Sequence, residues 1–335
     1  MILSKPSITE LERHLVEKAM DASDIGVGQF IGQFEELWAQ KNKKKYGVSC
    51  NSGTNAIYLA LKALGIGVGD EVVVPEFGMV ATAWAVSYTG ATPVFVDCYD
   101  NLIMDEIKAE RAITEKTKAV IVVPIYGRLA KYPVTHLPII EDMAEAHGIE
   151  PRGDIACYSF YGNKILTTGE GGMCLTDNKE WADEMRSLAN MYFDEGRTMI
   201  HPKMGHNFRM TNLQAAVGVA QVMRCDEILE KRAKIQGWYD ENLPERLKMP
   251  RRDSLWMYDI KVPDNVKWKA EIERMGIPTR YGFKPMSMQP MYLGEYEHLN
   301  AHKWSKQILY LPTYTDLTEK EIKDICQRIS HLEVR

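Results

Sequence analysis

The spacing of apolar positions divides the first part of the chain into alternating helices and strands. Residues 8–20 repeat apolar side chains with a helical period, and a second helix carries Phe34, Leu37 and Trp38 on one face. Short apolar runs typical of buried strands lie at 47–50, 71–74, 93–96 and 119–124, and helical stretches at 55–64 and 80–89. Strand after helix after strand predicts an α/β fold whose mostly parallel sheet is covered by helices on both faces.

The middle of the chain departs from this alternation. The next strand, 138–141, is separated from its predecessor by 127–137, a segment that Pro133 interrupts. Because this length is at the lower limit for a crossover with its own helix, we expect a loop there. Two hairpin-like strands at 155–160 and 172–176 and a long helical region at 212–243 complete the first part.

After Pro244 the pattern changes to that of a smaller α+β unit. It contains a strand at 257–262, a short helix around 270–275 and a final amphipathic helix at 318–329. Thr318 and Glu321 have the spacing of a capping box at the start of that helix. We therefore predict a large domain of residues 1–243 and a small C-terminal domain of residues 244–335, on which the N-terminal helical segment could pack.

Composition narrows the function classes. The 335 residues are 45% hydrophobic and 26% charged with a net charge of −5, which is typical of a globular protein and argues against nucleic acid or an anionic membrane as partner. Six scattered cysteines without a Cys-x-x-Cys pair favour reduced thiols in a cytoplasmic protein. No apolar run approaches the ~20 residues of a membrane span, and His147, His201 and His206 lack metal-site spacing, so we expect no metal.

Lys164 and Asp142 are the residues with the strongest chemical signal. Lys164 ends the run Ser-Phe-Tyr-Gly-Asn-Lys and precedes Thr-Thr-Gly-Glu-Gly-Gly, a loop in which a lysine amine can bond to an aldehyde. Asp142 follows the strand 138–141, where a carboxylate can keep a ring nitrogen protonated. The pair indicates a pyridoxal phosphate site; the alternatives are a solvated loop lysine and a helix-capping aspartate.

A third element suits the cofactor's phosphate. Ser52, Gly53 and Thr54 directly precede a predicted helix, whose first backbone amides attract anions. A plain N-cap explains the same residues equally well.

Taken in order, several segments resemble the DegT family of sugar aminotransferases, from roughly residue 28 to residue 317. They are Asn-Ser-Gly-Thr at 51–54, Gly-Ala-Thr-Pro-Val-Phe-Val-Asp at 90–97, Glu141 and Asp142 with Glu145 and His147, the lysine loop at 159–172, and Gly-His-Asn-Phe-Arg-Met-Thr-Asn at 205–212. The resemblance implies the aspartate-aminotransferase fold, known as fold type I, with pyridoxal 5′-phosphate as cofactor.

The resemblance also implies roles for single residues. Lys164 forms the Schiff base, Asp142 pairs with the pyridine nitrogen, and Glu145 lies near the phenolic oxygen. The phosphate is held by Gly53, Thr54 and Ser159, with Ser52 as a neighbouring cofactor-binding candidate. Asn207 reaches the cofactor of a neighbouring subunit, so a homodimer with shared active sites is expected. Candidate substrate-binding residues are His201, Arg209 and Arg280.

Within the family, the chain most resembles GDP-perosamine synthases. The similarity lies in the residue types at 162–164, Glu145, Thr211-Asn212 and the turn at 276–280. Such enzymes move an amino group from L-glutamate to C4 of GDP-4-keto-6-deoxymannose. Alternatives are another 3- or 4-keto sugar linked to dTDP or UDP, and a non-catalytic relative that binds the cofactor or a nucleotide sugar. Sugar dehydratases of the family carry histidine in place of Lys164, which argues against that reaction.

Some positions differ from the family pattern. Where members place an aromatic or histidine over the cofactor ring, this chain has Gly78-Met79, so Met79 or Phe77 takes that place, unless Met79 only fills the core. Ser287 stands where perosamine synthases often have histidine, and Trp84 where many members have asparagine. The segment 127–137 is also shorter than the family's helix-containing crossover.

Overall fold

The computed structural model of the protein describes residues 1–193, 196, 198–294 and 299–332. Its strands are β1 (Tyr46–Cys50), β2 (Glu71–Pro75), β3 (Thr92–Val96), β4 (Thr117–Val122), β5 (Ile139–Asp142), β6 (Ile155–Ser159), β7 (Gly172–Thr176), β8 (Tyr258–Lys261), β9 (Arg280–Tyr281) and β10 (Ile308–Leu311). Its helices are α1 (Glu10–Asp21), α2 (Gln29–Lys41), α3 (Gly53–Ala63), α4 (Ala81–Tyr88), α5 (Glu106–Arg111), α6 (Lys179–Ala189), α7 (Asn212–Met223), α8 (Cys225–Asn242), α9 (Asn265–Arg274), α10 (Leu299–Trp304) and α11 (Glu319–Ser330). Single 3-10 turns lie at Ile125–Gly127, Glu245–Leu247, Met286–Met288 and Pro290–Tyr292.

The large sheet has the strand order β1-β7-β6-β5-β4-β2-β3. Strands β2 to β6 pair in parallel, whereas β7 is antiparallel to both of its neighbours, β6 and β1. The carboxyl ends of β1, β2, β4, β5 and β6 therefore meet at one edge, which is where open α/β sheets bind ligands. The predicted mostly parallel sheet is confirmed.

Helices cover both faces of this sheet, which explains the continuous apolar runs of its central strands. On β4, Ala119 and Ile121 pack into the layer that contains α3, α4 and α6, while Val120 and Val122 face the opposite side. Further along that opposite side, α2 and α7 cover β6 and β7. Among the described residues no helix is long and apolar enough to span a membrane.

The C-terminal part builds a second sheet, in the order β8-β10-β9, with antiparallel pairing. Its core includes α11 and also Ile235 and Tyr239 of α8, with Leu243 directly after α8. The second half of α8 thus packs beyond the predicted boundary at 243/244, and the division into two domains stays a prediction. The N-terminal segment touches both parts, since the carbonyl of Leu3 accepts from the amide of Thr313, while Glu12 of α1 accepts from Gln221 of α7.

The predicted helical region 212–243 is confirmed, and it consists of two helices. Arg224 ends α7 and starts α8, and its side chain donates to Glu12 at 2.7 Å. Helix α9 begins at Asn265, earlier than predicted, because the side chain of Asp264 caps it.

Other local predictions stand, but four elements were not predicted: α6, β9, α10 and β10. Of these, α6 has local signals, since Asn178 caps it and its buried residues Ala182, Met185 and Leu188 have helical spacing. The capping box of Thr318 and Glu321 is confirmed. The loop prediction for 127–137 also holds, since residues 128–138 are all described and none lies in a helix or strand.

Candidate active site

A pocket of about 610 Å³ opens at the carboxyl edge of the large sheet. Residues after β5 and β6 and the start of α3 line it, together with the stretch 280–284 and Gln289 of the C-terminal part. The sequence-derived candidates that line this pocket are Ser52, Gly53, Thr54, Met79, Asp142, Glu145, Ser159, Lys164 and Arg280. Most of the residues singled out from the sequence are thus brought together in one place.

Asp142 is the last residue of β5 and is only 6% exposed. Its Oδ2 accepts from the Thr82 hydroxyl at 2.7 Å and its Oδ1 from the amide of Ala144 at 3.2 Å. Burial raises the pKa of Asp142, while these hydrogen bonds and the charge of Lys164 favour the ionised form. Because no helix begins here in the described structure, helix capping does not explain this aspartate.

Lys164 lies in the loop between β6 and β7, partly buried in the pocket. Its Nζ stands 4.4 Å from the centre of the Trp256 ring, and the Trp256 indole nitrogen donates to the carbonyl of Asn163 at 2.9 Å. Burial lowers the pKa of Lys164, and the carboxylates of Glu145 and Asp142 oppose that shift. The lysine is therefore not an ordinary solvated loop residue, and a lowered pKa favours the neutral amine that nucleophilic chemistry requires.

Glu145 is buried beside Lys164, and its Oε2 accepts from the backbone amide of Tyr126 at 2.8 Å. Tyr126 has a φ of 53°, a left-handed conformation that is uncommon for a tyrosine. Burial raises the pKa of Glu145 to about 7 against the effect of Lys164. At neutral pH this carboxyl can consequently keep a proton and donate it in a hydrogen bond.

Gly53 and Ser159 meet so closely that a side chain at position 53 has no room. A Cβ on Gly53 would lie 2.6 Å from the Cβ of Ser159. The Ser52 hydroxyl accepts from the amide of Asn55 at 3.2 Å, so Ser52 does cap α3. The amides of Gly53 and Thr54 belong to the first turn, where no helical partner exists, and they face the pocket beside a serine hydroxyl. This cradle fits a phosphate.

This combination of a lysine, a strand-end aspartate and a phosphate cradle occurs in a chain that is similar to known proteins. The model of the DegT/DnrJ/EryC1/StrS aminotransferase family matches residues 6–330. The chain belongs to this family. It is 37% identical to the GDP-perosamine synthase of Caulobacter vibrioides, with 99% of this chain and 98% of that protein covered.

Two further similarities place this family member. It is 35% identical to a UDP-N-acetyl-3-dehydro-alpha-D-glucosamine 3-aminotransferase of Acidithiobacillus ferrooxidans, over 92% of this chain and 90% of that protein. Its structure superposes on the aminotransferase TlmJ of Streptoalloteichus hindustanus with a TM-score of 0.91, at 25% identity and with 98% of each chain covered. The predicted fold, the aminotransferase activity and pyridoxal phosphate as its cofactor are thereby confirmed.

Three candidates of this aminotransferase do not line the pocket of their own protomer. Asn207 is exposed and pairs through its backbone with Asn190, whose side chain also accepts from Arg209 at 2.9 Å. His201 is exposed, with its Nδ1 2.7 Å from the carbonyl of Met191. All three lie outside this pocket, on the segment that leads into α7.

Of the two candidates for the ring face, Met79 is better placed. Met79 is 48% exposed and lines the pocket, which does not fit a core-filling role. Phe77 is fully buried and packs edge-on against Tyr126 and Phe283.

Several residues in or beside the pocket escaped the sequence analysis. Thr82 contacts Asp142 from 60 positions away, and Trp256 reaches the lysine from beyond the predicted domain boundary. Lys284 and Gln289 line the C-terminal wall. No local pattern marks such residues, because each acts through a partner that is remote in the chain.

Proposed function

We propose that this protein transfers an amino group from L-glutamate to a nucleotide-linked keto-deoxysugar, and that it forms GDP-perosamine from GDP-4-keto-6-deoxymannose. The observation that carries the proposal is one pocket in which Lys164 and Asp142 face a wall with two cationic side chains, Arg280 and Lys284. Cations of this kind suit the diphosphate of a nucleotide sugar or the carboxylates of glutamate. The 37% identity to a GDP-perosamine synthase supports this choice of sugar.

Each residue has a defined task in this proposal. Gly53, Thr54 and Ser159 would hold the phosphate, and Asp142 would hold a proton at the ring nitrogen. Lys164 would hold the cofactor, and its Nζ would take up and return a proton. Glu145, with a pKa of about 7, would donate a hydrogen bond to the cofactor. When bound, pyridoxal phosphate withdraws electrons from the carbon that carries the amine.

A turnover screen tests the substrate. The purified enzyme is incubated with L-glutamate and with GDP-, dTDP- or UDP-linked keto sugars, and products are identified by mass spectrometry and their structures solved. We expect amination of GDP-4-keto-6-deoxymannose at C4 and release of 2-oxoglutarate. No aminated GDP sugar, with turnover of another substrate, would disprove the sugar assignment.

Lys164 is tested separately. Borohydride reduction of the holoprotein should attach the cofactor to Lys164, as read by peptide mass spectrometry. The variant Lys164→Ala should fold, as judged by circular dichroism, and lose turnover by several orders of magnitude. Labelling of a different lysine would refute the assignment.

A second candidate reaction is amination of a UDP-linked 3-keto sugar, which the similarity to the Acidithiobacillus ferrooxidans enzyme supports. The same screen distinguishes it, since the product then carries nitrogen at C3. A non-catalytic role predicts that no 2-oxoglutarate is released with any of these sugars.

We also propose a homodimer with shared active sites, because Asn207 is exposed outside the pocket of its own protomer. In that arrangement, Asn207 binds the cofactor phosphate of the partner. Mixing the inactive variants Lys164→Ala and Asn207→Ala should then restore part of the activity, since mixed dimers contain one intact site. Absence of any recovery after subunit exchange would contradict a shared site. The cytoplasmic location stays a prediction.

A further inference from the structure

Glu76 links the edge of the large sheet to the C-terminal part of the chain. It directly follows β2 and is completely buried. Its carbonyl accepts from the amide of Met286 at 2.9 Å, and its Oε1 accepts from the amide of Ser287 at 3.0 Å. The Ser287 hydroxyl donates to the same Oε1. One buried carboxylate thus binds the 3-10 turn Met286–Met288 through backbone and side chain together.

The contact continues to α10. The Ser287 hydroxyl also lies 2.9 Å from Nε2 of His302. A second strand-end carboxylate, Asp97 after β3, accepts from the amides of Asn300 and Ala301 at the start of α10. The turn Met286–Met288 and the start of α10 are therefore both attached to carboxylates at the edge of the large sheet.

Residues on both sides of this attachment, in the large sheet and in the C-terminal part, line the pocket. Gly78 and Met79, which closely follow Glu76 in the chain, line the pocket on the side of the large sheet. Gln289 ends the turn that Glu76 binds, because its amide donates to the carbonyl of Met286, and it lines the pocket from the C-terminal part. The residues assigned to the phosphate, the ring nitrogen and the Schiff base, in contrast, follow β5 and β6 or begin α3, and only Met79, assigned to the ring face, follows β2. Glu76 thus joins two pocket walls without belonging to the cofactor cradle.

We propose that Glu76 is a positioning residue that holds the wall 285–289 in place for the nucleotide sugar, so that it controls binding of this substrate and not the reaction with the amino donor. This inference rests on the proposed function in one respect, that the second substrate is a nucleotide sugar. Ser287 transmits the contact to His302 through its hydroxyl.

The attachment responds to pH. The groups that face Glu76 include Ser287 and His302 from the C-terminal part and Asp97 after β3, with Lys108 3.5 Å from Asp97. Burial raises the pKa of Glu76 to about 7, the bonds from Ser287 oppose this, and Asp97 adds to it. Protonation removes the charge that strengthens both bonds from Ser287, so the wall is held less firmly as the pH falls through 7.

The variants Glu76→Ala and Glu76→Gln test this role, with Glu71→Gln as matched control. Glu71 starts the same strand and accepts from the hydroxyl of Thr114, so it repeats the chemical change away from the pocket. We measure hydrogen exchange of the peptide around Met286 and Ser287 without substrate, the single-turnover rate with L-glutamate, and the KM for the nucleotide sugar between pH 6 and 8.

Glu76→Ala should speed exchange and raise the sugar KM about tenfold or more, because two donors lose a charged acceptor. The rate with L-glutamate should stay at the wild-type value. The exchange rate and the sugar KM of Glu76→Gln should lie between those of the wild type and Glu76→Ala. In the wild type the sugar KM should rise below pH 7, and Glu76→Gln should lack this rise, whereas Glu71→Gln should match the wild type. If Glu76→Ala does not fold, Glu76→Gln decides by the same measurements.

Unchanged exchange or an unchanged sugar KM in Glu76→Ala would overturn the inference. Equal losses in both half-reactions would also overturn it, since they indicate a general structural role. If the wild type aminates no nucleotide sugar, the proposed function fails. In that case hydrogen exchange alone tests whether Glu76 holds the wall 285–289. Faster exchange of the peptide around Met286 and Ser287 in Glu76→Ala would still support that role.

Discussion

Replacing Thr82 by valine tests whether hydrogen bonding sets the charge state of Asp142. The Thr82 hydroxyl donates at 2.7 Å to Oδ2 of Asp142, and the two residues are 2% and 6% exposed. Valine has nearly the same shape but no hydroxyl, so the packing of α4 is kept while one of the two hydrogen bonds to the carboxylate is lost. The amide of Ala144 remains as the other donor, at 3.2 Å.

A hydrogen bond to a charged acceptor contributes about 1.5–3 kcal/mol. Without it, the pKa of Asp142, which burial already raises, rises further, because a bond that favoured the ionised form is gone. An aspartate that is protonated cannot hold the proton of the ring nitrogen. We therefore expect the amino-transfer rate of Thr82→Val to fall roughly ten- to hundredfold at neutral pH, the equivalent of this free energy.

The assay is the single-turnover rate with L-glutamate, measured from pH 5.5 to 9. The loss should be greatest at low pH, because a carboxyl with a raised pKa ionises only as the pH increases. Thr82→Ser keeps the hydroxyl and should retain most of the rate. Thr89→Val, which removes the hydroxyl bond to the carbonyl of Val86 at the other end of α4, should leave the pH profile unchanged. A wild-type rate and profile in Thr82→Val would refute the reasoning.

Two further substitutions test the phosphate cradle and the buried ion pairs. Gly53→Ala should weaken cofactor binding at least about tenfold, because its Cβ would lie 2.6 Å from that of Ser159, an overpacking of about 1–3 kcal/mol. Titration of the apoprotein with the cofactor measures this, and Gly32→Ala is the control because a Cβ there meets nothing within 4 Å. Unchanged affinity of Gly53→Ala would contradict the cradle. Arg252→Met should lower the free energy of unfolding by about 3–5 kcal/mol, because the buried Asp259 then loses one of its two arginine partners and keeps Arg128. Denaturant titration measures this, and the control Arg251→Met, at an exposed neighbouring position, should change the free energy by less than about 0.5 kcal/mol. An equally small change for Arg252→Met would show that its ion pair with Asp259 is dispensable.

Local signals in the sequence located most elements and the centre of the site. The lysine loop, the aspartate at a strand end and the Ser-Gly-Thr before a helix are each carried by neighbouring residues, so their positions could be predicted. The capping box of Thr318 and Glu321 also depends only on local spacing. The division at Arg224 could not be predicted in this way, because Glu12 of α1 binds Arg224 from far away in the chain.

By itself, the sequence determined the alternation of strands and helices, the chemical identity of the cofactor site and the family. These follow from periodicity and from residues that act together over a few positions. Only the tertiary structure decided that Thr82 supports Asp142, that Trp256 covers Lys164 and that Glu76 holds the far wall of the pocket. Such contacts join strand ends and loops that are distant in the chain, and their energies come from burial and hydrogen-bond geometry, which exist only once the sheet and its layers have assembled.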